Sequence, residues 1–220
     1  MHRSLLSIWR KTKLIVFDVD DTLLYTYKNG FTKINLAAQN LDYDLISFER
    51  FKQLYGMMSF EDCISCWFGD IDVDVFISEY RLQSRTVFYE PVCDFSTIQT
   101  FARKTGKHVG IFTNGKNDDR LSEKLKAAGV DTDKLLCLYT QENVSEPKPS
   151  GEGLIKISDF CKLARTEITY IGDSQSDYMA SIHAGTNFIG VNTGIRPWGE
   201  DVPSMANIRD ITKLIDENTT

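Results

Sequence analysis

The residues with the clearest chemical potential stand directly after apolar runs. Asp18-Val19-Asp20-Asp21-Thr22 follows one run, Thr113-Asn114-Gly115 a second, and Gly172-Asp173-Ser174 a third, with Asp177 four positions beyond Asp173. Ahead of the third run lies Glu146-Pro147-Lys148-Pro149, a single lysine flanked by prolines. Carboxylates gathered in one place repel one another unless a cation lies among them, and hard oxygen donors suit Mg²⁺. The Thr113 hydroxyl, backbone N–H groups at the start of a following helix and the Lys148 ammonium would add a compact anion pocket suited to a phosphoryl group.

Bringing these segments together requires a fold that collects strand ends at one edge. Five short runs rich in β-branched residues, at 14–17, 109–112, 135–139, 168–171 and 188–191, read as buried strands. Helical patterns with recognisable stops lie between the later ones, at about 116–128 before Gly129, about 153–163, and about 177–184 before Gly185. Such alternation predicts an α/β fold: a parallel, Rossmann-like sheet with helices on both faces and ligands beyond the carboxyl ends of its strands. Thr113-Asn114 can also be read as a helix N-cap, and Asp173 and Asp177 as acids placed at a helix start.

The stretch 25–89 is different. Phe31, Ile34, Ala38 and Leu41, then Phe48, Phe51, Leu54 and Tyr55, then Val73, Phe76, Ile77 and Tyr80 recur at spacings of three and four, so an all-helical insertion is expected after the first strand. Glu90-Pro91 marks the return. The expected division is an α/β core of 1–24 with 90–220 and a helical cap of 25–89. In the cap, Tyr25, Tyr27, Lys28, Arg50, Trp67 and Arg81 could each face a substrate, but read first as packing or solvated surface. A last helix is expected at 208–215, with 217–220 frayed.

Composition narrows the function. The 220 residues include 42% hydrophobic ones, enough for a substantial core, and 31 acidic against 25 basic residues give a net charge of −6. That balance disfavours non-specific binding to nucleic acid or anionic membranes. No run approaches the roughly 20 apolar residues that span a bilayer. A small soluble partner, a cytoplasmic location and a monomer or homodimer are therefore expected. Arg3, Arg10, Lys11 and Lys13 near the start read as an exposed basic extension. Five cysteines, an odd number, argue for reduced thiols; Cys63 and Cys66 have zinc or redox spacing but no second pair, and read as helix thiols. The cluster Asp70 to Asp74 lacks the glycine and distal glutamate of a calcium loop and reads as a loop entering a helix.

Asp18 to Thr22, Thr113, Lys148, and Gly172-Asp173 with Asp177, taken in this order, resemble the four motifs of the haloacid dehalogenase-like superfamily over about 14–194. The resemblance implies that Asp18 is a nucleophile and Asp20 a general acid and base. It further implies that Thr113 and Lys148 hold the transferring phosphoryl group with Asn114 beside them, and that Asp18, Asp173 and the Asp20 carbonyl bind Mg²⁺. Asp177 would reach the metal through water or orient Lys148. Two positions depart from the common pattern: Asp21 replaces a glycine, in a turn that Asp tolerates, and Tyr25 replaces an acid in the hinge.

A phosphatase acting on a small phosphorylated metabolite is the expectation. Asp20 disfavours a dehalogenase or a phosphonate hydrolase, whereas a phosphosugar mutase stays open. A receiver-like signalling module would need an aspartate after its middle strand, where Leu138-Tyr139-Thr140-Gln141 stands instead. A catalytically silent protein would be expected to have lost a charged motif residue.

Overall fold

The structure, a computed structural model, describes residues 2–55, 58–85 and 88–214. Six strands, β1 (Leu14–Phe17), β2 (His108–Phe112), β3 (Cys137–Tyr139), β4 (Ile168–Gly172), β5 (Asn187–Val191) and β6 (Ser204–Met205), form one sheet in the order β3-β2-β1-β4-β5-β6. Every pairing is parallel. The α-helices among the described residues are α1 (His2–Lys11), α2 (Thr26–Asn40), α3 (Phe48–Leu54), α4 (Phe60–Phe68), α5 (Val73–Leu82), α6 (Phe95–Lys104), α7 (Asp119–Ala127), α8 (Glu152–Cys161) and α9 (Gln175–Ala184). The chain divides into two compact units, Met1–Tyr25 with Tyr89–Thr220, and Thr26–Phe88.

Alternation along the strands builds two cores in the first unit, because successive side chains of a strand point to opposite faces. Ile15 and Phe17 of β1 pack with Leu5 and Trp9 of α1, Phe95, Ile98 and Ala102 of α6, and Leu121 and Leu125 of α7. Leu14 and Val16 pack on the other face with Leu154 and Ile157 of α8 and Ala180 and Ala184 of α9. β1 is central and all four of its side chains are buried, which explains an uninterrupted apolar run where a half-exposed strand would alternate.

Three expectations are corrected. The basic start of the chain is not an exposed extension but an amphipathic helix: Leu5 and Trp9 lie on one face, and Trp9 stacks on Phe101 at 5.6 Å. Lys107 closes over the Trp9 ring at 4.4 Å and donates to the carbonyls of Trp9 and Thr12 at 2.9 and 2.7 Å, so it also serves as a C-terminal cap. Trp9→Ala is expected to cost about 3 kcal/mol in urea unfolding; an unchanged midpoint would mean that α1 is dispensable. The helix expected at 208–215 is instead a 3-10 segment, Ile208–Lys213, whose Ile208 and Ile211 face the core at the spacing of three that such a helix brings into line. Thr113-Asn114 does not cap α7; that place belongs to Asp118, whose side chain accepts from the Leu121 N–H. The tail 217–220 lies outside the described residues.

The unit Thr26–Phe88 holds α2 to α5 around Ile34, Ala38, Phe51, Ile64, Trp67 and Phe76. Phe51 lies 5.7 Å from the Trp67 ring, and the Trp67 indole donates to the Arg50 carbonyl, which makes Trp67 a packing residue. Asn35 ties the segment after α2 through a pair of hydrogen bonds with Ile46, at 2.9 and 3.1 Å. Asp72 caps α5 through the Val75 N–H. Cys63 and Cys66 both lie on α4, the first buried and the second exposed, and all five cysteines of the chain are free thiols. No helix among the described residues is long and apolar enough to cross a membrane.

Candidate active site

The strand order makes the site. β1 lies between β2 and β4, so the segments leaving these three strands share one edge although Asp18, Thr113 and Asp173 are far apart in sequence. The chain turns sharply after Asp20, with Asp21 at φ 56°, a left-handed conformation that Asp accepts more readily than most residues. Thr193 donates to the Asp21 carbonyl and fixes the turn.

Lys148 is the hub. Its ammonium has three protons and three oxygen partners: Asp18 Oδ1 at 2.6 Å, Asp177 Oδ1 at 2.6 Å and the Tyr170 hydroxyl at 2.8 Å. Tyr170 is fully buried, and its own proton points to Asp177 Oδ1 at 2.9 Å or the Phe112 carbonyl at 3.0 Å. Burial alone would lower the Lys148 ammonium, but Asp177 and Asp18 outweigh it and hold it above the ordinary lysine range. Burial pushes the Asp18 carboxyl up to about 7; Lys148 opposes the shift, while Asp177 and Asp20 add to it.

Both Asp177 oxygens are engaged by protein donors. Oδ1 is taken by Lys148 and Tyr170, and Oδ2 accepts from the Ser174 N–H at 3.1 Å and hydroxyl at 2.6 Å. The bond from the Ser174 N–H, with the Asp177 N–H donating back to Ser174 Oγ at 3.3 Å, is the capping box of α9, so one carboxylate both starts a helix and aims the lysine. Asp18, Asp173 and Asp177 each present an oxygen within 4.8 Å of the others. Burial raises the Asp173 carboxyl well above the carboxylate range, and Asp177, Asp18 and Asp21 raise it further. Hard oxygens crowded in this way fit a divalent cation. Of the three, Asp177 has the most protein donors, so Asp18 and Asp173 are the freer side chains to hold one. Two glycines make room for the acids: a Cβ on Gly194 would lie 2.1 Å from Asp173 Oδ2, and one on Gly172 2.6 Å from Asp177 Oδ2.

The remaining candidates separate. Thr113 is buried and its Oγ accepts from the Gly115 N–H at 3.0 Å, leaving the hydroxyl proton for another acceptor. Asn114, read from the sequence as a substrate-binding residue, has its carboxamide engaged by protein. Its carboxamide makes two hydrogen bonds to the Lys148 backbone, accepting at 2.9 Å and donating at 3.0 Å, so it anchors the lysine's segment to the end of β2. The Asp20 carboxylate stands apart from the cluster and pairs with Lys124 of α7 at 2.5 Å.

The family description "Haloacid dehalogenase-like hydrolase" matches residues 15–191. The chain belongs to this family of hydrolases. Its fold is shared with solved structures of low identity. One is a HAD-superfamily hydrolase of subfamily IA, variant 1, from Geobacter sulfurreducens, 18% identical with TM-score 0.73, covering 93% of this chain and 96% of that one. A protein assigned as a phosphoglycolate phosphatase from Haemophilus somnus is 19% identical with TM-score 0.74, covering 93% and 98%. A third, assigned as a β-phosphoglucomutase from Thermotoga maritima, is 14% identical with TM-score 0.75, covering 92% and 98%. No curated protein matches the sequence.

In this hydrolase the sequence reading misses Tyr170 and Lys124, and it names Ser174 without a role. A signal existed for Tyr170: a hydroxyl inside the apolar run Ile-Thr-Tyr-Ile needs a buried partner. None existed for Lys124, one of several lysines along a surface helix.

Proposed function

We propose that this hydrolase is a Mg²⁺-dependent phosphatase that acts on a small organic phosphomonoester through a phosphorylated Asp18. The observation that carries the reading is the buried Lys148 ammonium bound to Asp18 Oδ1, which leaves Asp18 Oδ2 as the oxygen with which to attack. As the bond from Asp18 to phosphorus forms, the ester P–O bond breaks and Asp20 gives its proton to the leaving oxygen. Asp20 then takes a proton from water, which attacks phosphorus, releases phosphate and restores Asp18. Lys148 and Thr113 offset the charge on the phosphoryl oxygens. Asp18, Asp173 and the Asp20 carbonyl would hold Mg²⁺, which would supply further neutralisation of that charge.

The division into a catalytic core and a helical cap is part of the same proposal; its support is that Asp18, Asp20, Lys148, Asp173 and Asp177 all lie outside Thr26–Phe88. A net charge of −6 supports a small soluble substrate over a polyanion. The test is a panel of phosphomonoesters assayed for phosphate release. Release from at least one small ester is expected, lost in excess EDTA and restored by Mg²⁺. Full activity in EDTA overturns the metal reading. Interconversion of sugar phosphates without phosphate release would make the protein a mutase.

A further inference from the structure

Two aspartates stand two residues apart after β1, yet each has its own lysine. Lys148 takes Asp18, and Lys124 takes Asp20. Lys124 reaches this place through helix geometry: Leu121 and Leu125 of α7 are buried, and position 124 lies on the flank of that same face. Its ammonium lies 5.8 Å from the centre of the Tyr89 ring, and its side chain is only 19% exposed, against 40% for Asp20. Among the described residues it is the only cation paired with Asp20. Without it, a carboxylate two residues from Asp18 would be drawn toward Lys148, where it would compete with Asp18 for the same charge.

We infer that Lys124 is a positioning residue that holds the Asp20 carboxylate apart from the Asp18–Lys148–Asp177 cluster, in the place from which it exchanges protons with the leaving group and with water. The inference rests on the proposed acid and base role of Asp20 and deepens it. An ion pair of this exposure adds little to folding on its own, so its effect is expected in turnover, not in stability.

The experiment is a double-mutant cycle with an alkyl phosphate and an activated aryl phosphate, both with Mg²⁺. Lys124→Met is expected to lower kcat on the alkyl ester by about 10- to 100-fold with KM nearly unchanged. Acid-quenched samples should hold more phosphorylated protein than wild type, because water activation also suffers, and Lys124→Arg should restore most of the rate. In an Asp20→Asn background, Lys124→Met should add no further loss. Wild-type kcat in Lys124→Met overturns the inference, as does an equal further loss in the Asp20→Asn background. If Asp20→Asn itself hydrolyses the alkyl ester at the wild-type rate, the acid and base reading fails, and the inference falls with it. A thermal melt checks that each variant folds, and Lys124→Gln takes the place of Lys124→Met if that variant does not.

Discussion

Asp18→Asn is expected to reduce phosphate release by at least about four orders of magnitude, because the carboxamide keeps the shape of the side chain but cannot attack phosphorus. The same substitution should not destabilise the metal-free protein. Burial pushes the Asp18 carboxyl up to about 7, so above that pH the fold carries a charge that burial disfavours. Asparagine removes the charge and can still accept from Lys148. The expected result is therefore an inactive protein whose melting temperature at pH 8 without Mg²⁺ is equal to wild type or higher. Activity within tenfold of wild type would remove Asp18 from the nucleophile's role.

Lys148→Met should lose both activity and stability. The variant leaves Asp18 and Asp177 buried without their shared cation, a defect that costs about 3–5 kcal/mol when one partner of a buried pair is removed. The sign of the pH dependence follows from Asp18. Its folded value is raised even with Lys148 present, and without that cation burial acts unopposed. The folded state then binds its proton more readily than the unfolded chain, so stability falls as pH rises. The deficit in urea unfolding should be largest at pH 8 and shrink toward pH 5. Lys148→Arg should not rescue activity, since a planar guanidinium cannot reproduce three short contacts from one nitrogen. A pH-independent deficit would count against the buried carboxylates as its cause.

These effects were legible in the sequence to different degrees. The strands that matter were visible because burial on both faces leaves apolar runs at 14–17, 109–112 and 168–171, and the residues after them identified Asp18, Thr113 and Asp173. Lys148 was marked only by its place between prolines and in the motif order. What escaped was long-range. Asp20 and Lys124 are 104 residues apart, and no local pattern records that they meet. Asn114 drew attention as a polar group at a strand end, but that its partner is the backbone of Lys148 depends on the packing of two loops. β6, at two residues, is too short for any period to show, and the charges around Leu5 and Trp9 masked the apolar face of α1.

The central place of β1 also has a bearing on how the chain is assembled during synthesis. β1 is made before both of its neighbours, which come much later: β2 begins at His108 and β4 at Ile168, about 150 residues after β1 ends. At a ribosomal pace of roughly 5–20 residues per second, the run Leu-Ile-Val-Phe waits about 8–30 s for its second partner. Thr26–Phe88, whose internal contacts close over short stretches of chain, can form in that interval, whereas the sheet must wait for contacts of high sequence separation. The nascent protein thus carries an apolar strand with both edges open while about 90 residues are added and with one edge open for about 60 more, and that strand is where a chaperone would be needed.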